Sequence, residues 1–198
     1  MVQQQRRLEV SEAAWRVIVR EGLDRTSMRA IAQEMGCTTG VVTHYFRNKQ
    51  ELILFALNQV TEKLKVFMGK AMESSNGAEA LVAMLSAFLP LDTERQDILR
   101  VWVAFLGYAV GRENMMTEHQ NSAAQLRAML VKELERLQVA KILRQDINPE
   151  IEANALLALL NGVSMHWLIQ ADRLTSNQQQ LVIRRYVNEL LVENPVSS

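Results

Sequence analysis

The sequence predicts an all-α protein, and three observations carry that prediction. Punctuation is sparse, with 8 Gly and 3 Pro in 198 residues, while helix-forming residue types dominate. Apolar residues recur at the spacing of one helix face through almost every segment. Cap signatures open most of those segments: Ser27, Asn48 with Glu51, Asn76 with Glu79, Thr93 with Gln96, and Asn148 followed by Pro149. Side chains of this kind accept hydrogen bonds from first-turn amides that have no partner within the helix. No convincing strand, internal repeat or low-complexity segment interrupts the pattern.

Taken in order, the first helix spans about residues 3–21, with Val10, Ala14, Val17 and Ile18 as its stripe and Gly22 as its end. Ser27 opens a two-turn helix that turns Met28, Ile31, Ala32 and Met35 inward. Gly36 turns the chain sharply, because glycine alone enters the left-handed region without strain. Thr38 caps a third short helix, which runs to about Phe46, and a fourth covers about residues 48–72. Ser74-Ser75-Asn76-Gly77 is the first real break. Helices at about 77–89, 94–110, 115–139, 149–171 and 177–193 follow, the first of them stopped by Pro90. The expectation is about nine helices, with residues 1–50 as one domain and 51–198 as another.

The helix at 149–171 is apolar almost all round, and such a helix must be buried on both sides. With so few helices available, one side faces the chain's own core. The other is expected to face a second copy, so helices 149–171 and 177–193 are the candidate homodimer interface.

Composition narrows the function classes. Hydrophobic residues make up 48% and charged residues 22%, which is ordinary globular usage. The single Cys permits no internal disulfide and suits a reducing compartment. No run approaches the roughly 18 uninterrupted apolar residues of a membrane span, and MVQQQRRLEV lacks the apolar centre of a signal peptide. A cytoplasmic protein without a membrane partner is expected. Cys37, His44, His119 and His166 show no metal-ligand spacing, and no phosphate-cradling loop or Ser-His-acid arrangement is evident. No metal, no cofactor and no enzyme activity are expected.

Net charge is zero, but it is unevenly spread. Residues 1–50 hold eight basic against five acidic side chains, and the remainder hold fourteen against seventeen. A basic N-terminal unit on a mildly acidic body is the asymmetry of a DNA-binding module joined to a non-binding domain.

The pattern Thr26-Ser27, Ile31-Ala32, Gly36, Gly40, His44-Tyr45-Phe46 and Lys49 resembles the tetracycline-repressor (TetR) family of bacterial transcriptional regulators over about residues 10–57. Within that family, GVVTHYFRNK is most similar to the choline-responsive repressors of glycine-betaine synthesis. The resemblance implies a helix-turn-helix on a C-terminal effector-binding and dimerisation domain. It also implies release from a pseudo-palindromic operator by a small molecule. Two positions depart from the family pattern: Thr43 stands where many members carry Tyr, and Cys37 where Val is usual.

The residue chemistry agrees. A recognition helix sets small polar and methyl groups against base edges, and hydroxyls or cations against phosphates. Thr38 and Thr39 offer hydroxyls beside first-turn amides, and Gly40 lets the backbone approach the groove. Val41 and Thr43 carry methyls suited to thymine, while His44 and Tyr45 reach phosphates or a base edge. Ser27, Arg29 and Lys49 are the remaining candidate phosphate contacts.

In the body, Trp102, Phe105, Tyr108 and Trp167 are candidates for an aromatic cage around a quaternary ammonium. His119, Met129, Asn161 and His166 are further candidate effector contacts. The rival reading is a helical ligand-binding or scaffold protein whose helix-turn-helix merely packs. It differs in one measurable way, predicting no salt-dependent binding to DNA.

Overall fold

The computed structural model describes residues 2–73 and 75–192, leaving aside the side chains of Val2 and Met72. Ser74, part of the expected break, and residue 193, the expected end of the last helix, lie outside the described residues. Nine helices are present among those described. They are α1 (Val2–Glu21), α2 (Met28–Glu34), α3 (Thr39–Tyr45), α4 (Lys49–Glu73), α5 (Gly77–Ser86), α6 (Thr93–Ala109), α7 (Glu113–Val139), α8 (Pro149–Ile169) and α9 (Ser176–Leu190).

Local chemistry explains most boundaries. Ser27 Oγ accepts from the Ala30 amide at 3.1 Å and starts α2. Gly36, at φ 66, ends it: the Gly36 amide bonds the Gln33 carbonyl and the Cys37 amide bonds the Ala32 carbonyl. This paired bonding uses carbonyls that the helix end leaves open, and it needs a left-handed residue at that point. Lys141, at φ 57, plays the same part after α7, with Ile142 bonding back to Leu137. Asn148 Oδ1 accepts from Glu150 and Ile151 at 2.9 and 3.2 Å, so Asn-Pro opens α8 as its sequence implies.

Several boundaries differ from the sequence reading, among them the end of α9, which stops at Leu190 rather than 193 with extended Leu191 as its C-cap. Asp92 rather than Thr93 caps α6, its two oxygens accepting from the Arg95 amide and from Arg95 Nε, each at 2.9 Å. Asn76 makes no side-chain cap bond, and Glu79 instead pairs with Arg184 of α9. Helix α5 stops at Ser86 rather than 89. Phe88 and Leu89 bond back only three residues, because Pro90 disfavours the α conformation of its predecessor.

The chain forms two compact units. The first is Met1–Glu62 with Asp97–Ser122; the second is Lys63–Gln96 with Ala123–Ser198. In the first, Val10, Ala14 and Val17 of α1, Ile31 and Ala32 of α2, Val42 and Phe46, and Leu52 of α4 close one buried cluster. A second cluster joins Ile18, Leu23, Ile53 and Leu57 to Val101, Phe105 and Ala109 of α6 and Met115 of α7. Each large side chain buried this fully stabilises the fold by about 1.5–3 kcal/mol. The second unit packs Leu81 and Leu85 of α5, Leu130 and Leu134 of α7, Leu156 and Leu160 of α8, and Ile183 and Val187 of α9. Among the described residues a single bridge, Leu143 with Leu191, clips the end of α9 to the loop after α7.

Along α8, Ala153, Leu156, Leu160, Val163, Ser164 and Trp167 are buried. Ile151, Asn154, Ala158, Asn161, Gly162, His166 and Ile169 form an exposed stripe on another side. The expected all-round apolar helix is thus half-covered by its own chain.

Candidate nucleic-acid interface

Helix α3 is held by few anchors. Val42 is its one buried residue, and Phe46, at its C-cap, is fully buried below it. Thr39, Gly40, Val41, Thr43 and His44 are all exposed, although Val41 is apolar. A helix this short draws its stability from packing at a few points, which leaves its outer surface free for a partner.

The groups on that surface are distinct. Thr38 caps α3 by backbone position only; its hydroxyl makes no cap bond. Thr43 Oγ1 lies 3.2 Å from both the Thr39 and the Gly40 carbonyls, so its proton is directed back along the helix. What Thr43 presents outward is then a methyl and oxygen lone pairs. Tyr45 is half-buried, and its ring stands edge-on to His44 at 4.9 Å. At the start of α2, Ser27 and Arg29 are exposed, although the Ser27 oxygen already serves as the cap acceptor.

Two networks fix the orientation of this surface. Glu34, at the end of α2, accepts from Arg16 Nε and Arg20 Nη1 of α1, each at 2.8 Å. The two guanidiniums, Arg16 first, hold the Glu34 carboxyl below the usual range. Arg7 of α1 lies over the rings of Phe46 and Phe55, at 4.5 and 4.9 Å, and donates to Glu51 at 3.1 Å. Glu51 also accepts from the Arg47 amide at 2.9 Å, while its own amide donates to Asn48 Oδ1. The capping box expected at Asn48 and Glu51 therefore forms with its return bond displaced by one residue, onto Arg47.

Sequence reading missed Arg7, Arg47 and the surroundings of Lys49. Arg7 and Glu51 are 44 positions apart, so no spacing rule links them. Arg47 is exposed just past the Phe46 cap of α3, and its basic character was the available signal. Lys49 does not project freely. Its Nζ donates to the Leu23 carbonyl at 2.5 Å and lies 5.2 Å from the centre of the Tyr108 ring. Burial lowers its pKa from the ordinary lysine value, with Arg112 adding to the effect and Asp24 opposing it.

Of the body candidates, Trp102, Phe105 and His119 meet: the imidazole centre lies 6.2 Å from the Trp102 ring and 5.6 Å from Phe105. Burial lowers the His119 pKa, which favours the neutral ring. Tyr108 does not stand open for a ligand cation, because the Arg112 guanidinium covers its ring at 3.9 Å with Lys49 beside it. Met129 is 39% exposed, Asn161 and His166 lie on the exposed stripe of α8, and Trp167 is buried. Among the described residues, no group of three potential ligands is placed to hold a metal ion, and no helix is long and apolar enough to cross a membrane.

Comparison with known proteins agrees with this geometry. Residues 11–55 match the family described as bacterial regulatory proteins, tetR family, and residues 77–192 match the C-terminal region of BetI-type transcriptional repressors. The HTH-type transcriptional regulator PksA of Bacillus subtilis is 30% identical over 193 residues, covering 96% of this chain and 92% of PksA. The regulator BetI of Vibrio vulnificus is 25% identical, covering 94% of this chain and 92% of its own. A transcriptional regulator from Saccharomonospora viridis, crystallised in complex with choline, superposes with a TM-score of 0.87 at 19% identity, covering 96% of this chain and 100% of the other. The chain therefore belongs to the TetR family, with a BetI-type C-terminal region: it is a ligand-responsive, DNA-binding transcriptional regulator and not an enzyme.

Proposed function

We propose that the protein works in the cytoplasm as a homodimeric repressor, with α3 of each subunit in the major groove of a pseudo-palindromic operator. The observation that carries this reading is the surface of α3. Five of its seven residues are exposed, and they combine hydroxyls, a methyl-bearing apolar side chain and a bare glycine backbone. Thr39, Gly40, Val41 and Thr43 would read base edges. Ser27, Arg29, Thr38, His44, Tyr45 and Lys49 would position the head on phosphates. Residues 1–50 serve as the DNA-reading part, and residues 51–198 as the effector and dimer part.

The exposed stripe of α8 supports pairing of two copies. It carries Ile151 and Ile169, and α9 adds Leu181 at 62% exposure. Ala158 and Gly162 between them allow close approach, since a Cβ added at Gly162 would meet nothing within 4 Å. Two heads on a palindrome gain the affinity that one short helix lacks. The small-molecule effector would act at the cluster of Trp102, Phe105 and His119. Choline is the ligand of a structural neighbour. The cations beside Tyr108 weigh against a cage that includes Tyr108 here, and the exposure of Asn161 and His166 on the outer stripe of α8 favours the dimer face over a pocket for them.

The test is titration of a labelled duplex, selected by the protein from a random library, at several salt concentrations. Log affinity should fall linearly with log salt, by about 0.9 per phosphate neutralised. Binding that is absent, or indifferent to salt, would overturn the reading and leave the scaffold alternative standing.

A further inference from the structure

From the surroundings of Lys49 we infer that Tyr108 is a positioning residue for operator binding: its ring and the Leu23 carbonyl hold the Lys49 ammonium back, and DNA must draw it away. This inference rests on the operator-binding reading above and deepens it.

Lys49 is the first residue of α4, separated from the Phe46 cap of α3 by Arg47 and Asn48. An ammonium there has a choice of partners. In the free chain it donates to Leu23 O, which also accepts from the Thr26 amide in the turn between α1 and α2. The face of Tyr108, on α6, lies beside it. Arg112 covers the same ring and donates to the Tyr108 carbonyl, so α6 presents the ring in a fixed pose. Among the described residues the direct partners of Lys49 are the Leu23 carbonyl and the Tyr108 ring, and Asp24 attracts it without a direct bond. The ammonium is thus kept by a carbonyl and a π face, with Asp24 attracting it from farther off, and none of these bonds it as a directly contacting phosphate would. It is retained in free protein and released to a stronger anion. The release lowers operator affinity, by an amount that α6 controls through the position of one ring.

The experiment is a double-mutant cycle on the full chain with the duplex selected by wild type. Tyr108→Leu should tighten binding about three- to tenfold, the scale of a partly exposed cation–π contact. In a Lys49→Met background the same change should do nothing. Tyr108→Phe keeps the ring and should match wild type. Lys49→Met alone should lower the salt slope by about 0.9 per head. An independent readout uses wild type only: the Lys49 ε-methylene resonance should be shifted upfield by the ring in free protein and should move downfield on adding the duplex. The inference is overturned if Tyr108→Leu leaves affinity unchanged or weakens it, if it acts equally with and without Lys49, or if the upfield shift persists in the complex. Wild type that shows no salt-dependent binding overturns the operator reading and this inference together; wild type that binds while the cycle shows no coupling overturns this inference alone.

Discussion

Gly40 gives the sharpest test at the scale of one residue. A Cβ built there meets only Thr38 Oγ1, at 3.7 Å, which is ordinary contact. Gly40→Ala should therefore stabilise α3, by up to about 1 kcal/mol in helix propensity. Operator affinity should fall nonetheless if the backbone must approach the groove. Thermal melting and DNA titration of the same variant separate the two effects, and unchanged affinity would remove Gly40 from the reading surface. His119 carries a pH prediction. Burial lowers its pKa below the ordinary value of about 6.5. The unfolded chain then binds a proton more readily than the folded one. Stability is fully present above about pH 6.5 and declines as pH falls through that value toward the folded pKa. His119→Gln should flatten the dependence of Tm on pH between about 6.5 and 5. If the slope there is the same in both proteins, the imidazole is not the source. The inward positions Ile31 and Ala32 were legible in the sequence from their apolar spacing, and both are buried. The setting of Lys49 was not legible, because its partners, Leu23 and Tyr108, come from distant segments.

At the scale of elements, the short helices depend on their ends. Ser27 supplies the one side-chain cap of α2, a helix of seven residues. Ser27→Ala should cost about 1 kcal/mol and should weaken DNA binding through disorder of α2 as well as through loss of a phosphate partner. Ser27→Asp separates the two: it restores the cap but repels phosphate, so stability should recover while affinity does not. Recovery of both would leave Ser27 a purely structural residue. Caps show why helix number and order can be read from sequence while boundaries shift. Ser27 and Asn148 behave as their residue types imply, because their acceptors lie next to the amides they serve. Asn76 makes no cap bond, and Asp92 takes the place expected of Thr93. Glu79 is drawn to Arg184, 105 positions away, and Asp92 outbids Thr93 with a charged oxygen and its own arginine.

For the whole molecule, the question is what covers the outer stripe of α8. Gly162→Trp should leave the single chain folded, since nothing lies within 4 Å of the added Cβ. It should nevertheless convert a dimer to a monomer in sedimentation and abolish tight operator binding. A variant that still sediments as a dimer would move the interface elsewhere. The periodicity of residues 149–171 showed that two apolar sides exist; it could not show which would stay open, because that depends on which residues α7 and α9 bring against it. The effector contacts were the least legible part for a related reason. Aromatic residues at helical spacing look alike in a core and in a pocket, and only the folded chain shows that Trp102 and Phe105 meet His119 while Tyr108 faces cations.

The open face also bears on dosage. If two copies pair over the face that leaves Ile169 73% exposed in the single chain, as proposed above, the amount of paired regulator would follow the square of subunit concentration while subunits are scarce. Halving synthesis would then quarter the competent pool. Such a regulator would respond more steeply than in proportion to its own abundance while subunits are scarce.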